Sequence, residues 1–314
     1  MSPETETLSP DRSGVFIIDK APGWTSHDVV AALRRLLCVR QVGHFGTLDP
    51  FATGVLPLSV GKGTRFAQFY LKSRKAYRGT ICFGYATDTY DATGQPSSER
   101  ATPHLDRSAL EEVFRDFTGR LMQTPPPFSA KRVGGVRAYE LARQRKPVAL
   151  ASVEVEVYAL ELLNVQAGWV SFAVECSGGT YVRSLAHDIG QRLGWPAHLA
   201  SLRRSAVAEF TESRAVTLEK LEEALRRGEL ESWRVPLEAL LPECPELVVR
   251  GREEISVRHG HAFELPQVLR PDRGDKAGRG AFMNVLKIVN AERRLIAVAR
   301  HVGGSVYHPD LVLA

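Results

Sequence analysis

The sequence predicts an α+β protein: a mixed or antiparallel central sheet flanked by helices, followed by a small β-rich module. Three observations predict it. Strand and helix patterns interleave up to about residue 240 without a regular βα repeat. The segment Pro242-Glu-Cys-Pro245 then interrupts the pattern as a linker would. Beyond it the clearest patterns are short strands, over Val285–Asn290, Leu295–Arg300 and Val306–Leu313. The 314 residues suit one large domain plus a small one. The expected division is a disordered start over 1–13, a main domain over 14–241 and a C-terminal module over 246–314.

Each element has a local reason. Gly14–Asp19 is an apolar run of strand length. Lys20-Ala-Pro-Gly-Trp-Thr-Ser26 is a turn, and Ser26 is the expected N-cap of the next helix. That helix puts Val29, Val30, Leu33, Leu36 and Leu37 on one face, with Arg34 and Arg35 outside. Gly54–Val60 is apolar enough for a buried strand, and a helix is expected near Thr64–Leu71. Lys75–Gly84 alternates in part and reads as a long strand, followed by a polar loop over Ala86–Gly94. A helix fits 106–118 through Leu110, Val113, Phe114 and Phe117. Pro125-Pro-Pro-Phe-Ser129 is extended. Val133-Gly-Gly-Val136 is a hairpin turn before a short helix at Ala138–Gln144. Residues 152–163 alternate, with Val153, Val155 and Val157 opposite Glu154 and Glu156, and Val170–Cys176 is a second strand. Ser177-Gly-Gly-Thr180 turns into a helix ending at Leu193, and Leu218–Arg227 is a further amphipathic helix.

Composition narrows the function. The net charge is +5, from 41 basic and 36 acidic residues, which fits a polyanionic partner without requiring one. Its distribution says more. No acidic residue lies between Pro50 and Asp88, while Lys62, Arg65, Lys72, Arg74, Lys75 and Arg78 are all basic. Lys131, Arg132, Arg137, Arg143, Arg145 and Lys146 form a second run against Glu140 alone. Both are expected to track phosphates. Cys38, Cys82, Cys176 and Cys244 lack metal-ligand spacing and a disulfide pattern, so reduced thiols are expected. The N-terminus is polar and acidic, unlike a signal peptide, and no apolar run is long enough to span a bilayer. A cytoplasmic protein without a membrane partner is the expectation.

The stretch Gly43-His44-Phe45-Gly46-Thr47-Leu48-Asp49-Pro50-Phe51-Ala52-Thr53-Gly54 is the focus of the chain. Its glycines permit positive φ, and Pro50 restricts Asp49 to an extended backbone. Asp49 is therefore a carboxylate held in a defined direction. By itself this pattern also suits a structural turn. The motif Gly-His-x-Gly-x-Leu-Asp-Pro-x-Ala-x-Gly, however, resembles the catalytic loop of the TruB family of tRNA pseudouridine synthases. The resemblance covers about residues 14–210. Asp19–Ser26 is similar to the family's Lys-Pro-x-Gly-x-Thr-Ser motif, with Ala21 inserted ahead of Pro22. Lys75-Ala-Tyr77, Ala86–Gly94, Pro125–Ala130, Gly135–Arg143, Cys176–Arg183 and His198–Arg204 resemble further family segments in order. Phe128 stands where the family usually has Tyr, so a hydroxyl there is not required.

The resemblance implies a pseudouridine synthase fold with a PUA-like RNA-binding module at the C-terminus. It implies conversion of the T-loop uridine of tRNA, position 55 in standard tRNA numbering, to pseudouridine. No cofactor or metal is implied, and the partner is the T-arm of tRNA, met by a monomer without a guide RNA. Asp49 is the essential residue, as nucleophile or as base. Arg183 is its expected partner, since a guanidinium favours the charged form of a carboxylate. Tyr77 would stack on the target base and offer a hydroxyl, with Tyr181 supporting the same pocket. Leu202 would pack against the base, and His44 would fill the gap left by a flipped uridine. Lys20 and Arg65 would hold phosphates, and Asp91 is placed among the substrate-binding residues. Two alternatives stand beside this reading: a non-catalytic RNA-binding or tRNA-folding protein, and a guide-RNA-dependent synthase.

Overall fold

The computed structural model describes residues 13–129, 131–133, 135–144, 150–265 and 284–313. Of the start expected to be disordered over 1–13, residues 1–12 lie outside the described residues, as do Arg145 and Lys146 of the second basic run. So do the side chains of Arg132, Arg137 and Arg143. Ser13 of that start is instead buried, and its hydroxyl accepts from the Lys62 N–H at 3.0 Å.

In chain order the main body opens with strand β1 (Gly14–Lys20) and helix α1 (Ser26–Leu37). The N-cap of α1 is Thr25, not Ser26. Thr25 and Asp28 form a reciprocal capping box, with Thr25 Oγ1 accepting from the Asp28 N–H. Ser26 is displaced from that task because its hydroxyl turns inward to the loop before Asp49. Strands β2 (Val42–His44) and β3 (Thr53–Val60) flank that loop. The helix expected near Thr64–Leu71 is a 3₁₀ turn over Gly61–Phe66 running into the single turn α2 (Ala67–Tyr70). Then come β4 (Lys75–Phe83), α3 (Arg107–Asp116), β5 (Gly119–Gln123), the small hairpin β6 (Arg132–Val133) and β7 (Val136–Arg137), and α4 (Ala138–Arg143). Long strands β8 (Val153–Gln166) and β9 (Trp169–Cys176) precede α5 (Val182–Arg192). The body closes with β10 (Ala197–Val207), β11 (Phe210–Thr211), α6 (Leu218–Arg226) and β12 (Arg234–Pro236).

All of these strands except the β6–β7 hairpin form one ten-stranded sheet in the order β12-β1-β3-β10-β4-β9-β8-β5, with β2 on β3 and β11 on β10. All pairs are antiparallel except β3 with β10, where Thr53 and Gly54 lie beside Arg203 and Arg204. The sheet is thus mixed, as expected. Gly54 is required at that parallel junction: its φ is +99°, and a Cβ there would fall 2.3 Å from the Arg204 carbonyl oxygen. On one side of the sheet α3 and α5 cover an apolar layer that includes Leu48, Ala52, Tyr77, Phe172 and Leu202. On the other, α1 covers Phe16, Leu56 and Leu58.

The C-terminal module contains β13 (Glu246–Val248), α7 (Gly251–Arg258), β14 (Phe263–Glu264), β15 (Val285–Val289), β16 (Leu295–Gly303) and β17 (Val306–Val312). Its five strands run β13-β15-β16-β17-β14. The module is packed onto the main body. Val285, Val298 and Leu311 share a core with Phe45, Phe66 and Tyr70. The segment expected as a linker belongs to this seam: Cys244 is buried, and the Leu241 N–H donates to the Tyr70 hydroxyl at 2.9 Å. No helix among the described residues is long and apolar enough to cross a membrane.

Candidate active site

The loop carrying Asp49 is fixed almost wholly through its backbone. Phe45 is fully buried and stacks on Tyr70, with ring centroids 4.4 Å apart. The Ser26 hydroxyl donates to the Leu48 carbonyl at 3.0 Å and accepts from the Leu48 N–H at 2.8 Å. The Arg204 guanidinium, buried beneath, donates to the carbonyls of Val55, Thr47 and Gly46 at 2.7, 3.2 and 3.0 Å. The Lys20 ammonium donates to the carbonyls of Ala21, Trp24 and Pro50 at 2.9, 2.8 and 3.1 Å. Buried carbonyls that lack partners are costly, so these cations fix the loop's shape by satisfying them.

Asp49 leaves this frame with its carboxylate part-exposed, at 33% of its side-chain surface. Arg183, only 6% exposed, meets it with a two-pronged contact. Nε donates to Oδ2 at 2.9 Å and Nη2 to Oδ1 at 3.0 Å. This geometry fixes the plane of the carboxylate as well as its position. The first turn of α5 supplies Arg183, and the rest of its guanidinium is occupied too. Nη1 donates to the Thr89 carbonyl at 3.0 Å, and Nη2 also donates to the Phe128 carbonyl at 3.1 Å. Phe128 therefore contributes its backbone oxygen to the guanidinium. Asp91 Oδ2 lies 3.6 Å from Nη1.

Tyr77 and Arg204 are paired residues of β4 and β10, so both point to the same face of the sheet. Burial pushes the Tyr77 phenol up to about 12, with the Arg204 guanidinium opposing, so it is a neutral hydroxyl at physiological pH. Leu202 lies on the same face two residues earlier, 7% exposed. Tyr181 precedes α5, and burial raises its phenol as well. His44 ends β2, and its Nδ1 accepts the Gly46 N–H at 3.2 Å. Burial, followed by Arg204 and His27, lowers its pKa, so the ring is held neutral with its hydrogen on Nε2.

Comparison with known proteins decides the family. Residues 34–182 match the profile described as "TruB family pseudouridylate synthase (N terminal domain)". Residues 183–242 match "tRNA pseudouridylate synthase B C-terminal domain". The chain belongs to the TruB family of pseudouridylate synthases. A protein of Solibacter usitatus named tRNA pseudouridine synthase B is 43% identical over 96% of this chain and 99% of its own length. One of Aquifex aeolicus with the same name is 45% identical over 79% of this chain and 85% of its own. Among solved structures, "Crystal Structure of a Cbf5-Nop10-Gar1 Complex" aligns with a TM-score of 0.72 at 24% identity. It covers 100% of this chain and 91% of that one, which shows a shared fold.

Within this TruB-family chain the structure brings Asp49, Arg183, Asp91 and the Tyr77–Arg204 pair into one network. It moves several expected residues to other tasks. Lys20 is no surface phosphate ligand: it is 1% exposed and its three N–H groups are spent on carbonyls. Asp91 is 4% exposed and lies on the Nη1 side of Arg183, whose Nε and Nη2 face Asp49. Asp91 Oδ1 accepts from Thr89 Oγ1, the Thr93 N–H and Thr93 Oγ1 at 2.8, 3.0 and 2.6 Å. Arg65 is exposed but donates to the Val312 carbonyl, at the seam with the C-terminal module. The first basic run is likewise no continuous track. Lys75 is buried against the carbonyls of Tyr70, Leu71 and Ser73, while Arg74 and Arg78 pair with Glu175 and Glu212. Lys72 of this run is exposed.

Ser26 and Arg204 were missed as site residues. Both sit inside matched motifs among other polar residues, and membership of those motifs is the signal that points to them. A cavity of about 430 Å³ adjoins the site through Phe51 and Leu202, with Gly79 and Phe172 in its wall and Arg78 and Arg203 beside them. The two arginines are themselves paired, Arg78 with Glu212 and Arg203 with Asp19 and Glu212, so the cavity offers an apolar wall with a charge-balanced rim.

Proposed function

We propose that this protein isomerises the T-loop uridine of tRNA, position 55, to pseudouridine, acting alone and through Asp49. The observation that carries the reading is the Asp49–Arg183 pair, a part-exposed carboxylate oriented in two places by a buried guanidinium. The Solibacter usitatus relative named tRNA pseudouridine synthase B, alike over 96% of the chain, supports tRNA as the substrate. Asp49 acts on the uridine as nucleophile or as base, cleaving the bond from ribose to nitrogen so that the ring can be rejoined through carbon. Arg183 holds the carboxylate in place. Tyr77 presents a ring to the extracted base and a neutral hydroxyl for proton transfer, and Tyr181 and Leu202 bound the same space. His44 occupies the gap in the T-loop once the uridine has left the stack. The C-terminal module, PUA-like by resemblance, extends the RNA-binding surface. The Tyr139-Glu-Leu-Ala-Arg143 segment and the small module favour a form that needs no guide RNA. A cytoplasmic monomer completes the reading.

The test mixes the purified protein with an unmodified tRNA transcript and nothing else. Pseudouridine at the T-loop position, and its loss in Asp49→Asn, is the expected result. Binding without conversion would favour an RNA-folding protein. Conversion only when a guide RNA is added would favour the guided class.

A further inference from the structure

We infer that His187 and Tyr90 form an aromatic brace that holds Arg183 in register with Asp49, so that both are positioning residues for the reaction. The inference rests on reading Asp49 and Arg183 as the working pair. Arg183 and His187 are four residues apart on α5 and so share one face. Both meet the same short loop. Arg183 reaches the Thr89 carbonyl and the Asp91 carboxylate. Between those two residues stands Tyr90, and its ring lies flat on the His187 imidazole, with centroids 3.9 Å apart and planes within 6°.

The loop is built to deliver that ring. Tyr90 has φ +64°, a left-handed conformation that a large side chain keeps only when its surroundings hold it there. Its carbonyl accepts from the Leu199 N–H at 2.9 Å, and the Ala92 N–H donates to the Leu199 carbonyl at 3.0 Å. The loop is therefore tied to β10 by its backbone and to α5 by the ring stack. The Thr89 carbonyl is carried between the two anchors, against Arg183.

His187 contributes its face. Its Nδ1 is buried and has no hydrogen-bond partner among the described residues. Burial also lowers its pKa, which keeps the ring neutral. Nearby Asp188 adds to the burial that raises the Tyr90 phenol, so that ring stays neutral as well. Two flat, neutral rings one helical turn from Arg183 limit how far the loop can slide along α5. Such sliding would move the Thr89 carbonyl and release Nη1, the anchor that steadies the guanidinium while Nε and Nη2 hold Asp49.

The experiment compares wild type, His187→Ala, His187→Phe, Arg183→Lys and the double variant Arg183→Lys/His187→Ala. It reads the single-turnover rate on an unmodified tRNA transcript, tRNA affinity and thermal midpoint. His187→Ala should slow conversion about tenfold while affinity stays within about threefold, because the brace orients the pair without touching RNA. His187→Phe keeps a flat ring and should stay within about threefold of wild type. The double variant should be no slower than Arg183→Lys, since the brace acts through Arg183. An unchanged rate in His187→Ala, an equal loss in His187→Phe, or losses that multiply in the double variant would each overturn the brace. Should His187→Ala fail to fold, Tyr90→Phe and Tyr90→Leu replace it: a fast Phe and a slow Leu support the brace, and equal rates overturn it. A wild-type protein that leaves the transcript unconverted overturns the catalytic reading and the brace with it. An active wild type with an indifferent His187 overturns the brace alone.

Discussion

Ser26 grips both backbone groups of Leu48, the residue immediately before Asp49: its buried hydroxyl donates to the Leu48 carbonyl and accepts from the Leu48 N–H. One side chain from the start of α1 thereby fixes the peptide that sets the direction of the candidate catalytic carboxylate. Ser26→Ala leaves two backbone groups without their partner and should cost about 1–3 kcal/mol of stability. The single-turnover rate should fall further than tRNA affinity, because the loop is loosened and the RNA contacts remain. Urea unfolding and single-turnover kinetics on the same preparation check both halves. A variant as stable as wild type would show that the loop does not depend on this contact.

Asp49→Asn should abolish conversion while tRNA binding stays within about tenfold, roughly 1.4 kcal/mol. The amide turns a pair of N–H donors toward the Nε or Nη2 of Arg183, which are donors themselves, so one prong of the fork is lost along with the charge. Pseudouridine formed at the wild-type rate would remove Asp49 from the chemistry.

Lys20 predicts an unusual dependence of stability on pH. Burial lowers its ammonium from 10.5 to about 8, with Arg204 acting in the same direction and Asp49 against it. From about pH 8 to 10.5 the unfolded chain keeps this proton and the folded chain gives it up. The unfolded state then binds more protons, so this group makes stability rise with pH across that window and adds no slope below it. Lys20→Met removes the effect. The unfolding free energy of wild type minus that of the variant should therefore grow between about pH 7.5 and pH 9.5. A difference that stays flat would mean that Lys20 titrates as an ordinary lysine.

His44 is expected to matter for extracting the uridine and far less for rearranging it. Its ring is neutral and its Nδ1 is spent on the Gly46 N–H, which leaves its ring face and Nε2–H for RNA. Flipping costs a few kcal/mol from a stacked loop and less from a free strand. His44→Ala should therefore lose more on a folded T-arm than on a short unstructured strand of the same sequence. Asp49 variants should fail equally on both. Single-turnover rates on the two substrates decide it, and an equal loss for His44→Ala would assign the residue to the loop's scaffold or to the chemistry itself.

By itself the sequence determined what short-range chemistry can carry. Alternating Val153, Val155 and Val157, the apolar face of α1 and the Gly-Pro punctuation around Asp49 each specify local structure through spacing alone. The motif match likewise reached Asp49 and Arg183 across a long interval of chain. Only the tertiary structure decided what polar side chains do once inside. Ser26 looked like a helix cap and Thr25 took that place, because a hydroxyl facing the core found Leu48. Lys20 and Lys75 looked like phosphate ligands and proved to be buried donors to backbone carbonyls. Asp91 stood among the substrate contacts and lies on the Nη1 side of Arg183. Arg204 bears no distinguishing mark in its segment and supports the loop that carries Asp49. The reason is common to all of them. A charge or hydroxyl carries no mark in sequence of whether it will face water or a buried carbonyl. That choice is made by which backbone groups the fold leaves unpaired, and those are set by pairings such as β3 with β10 between residues distant in the chain.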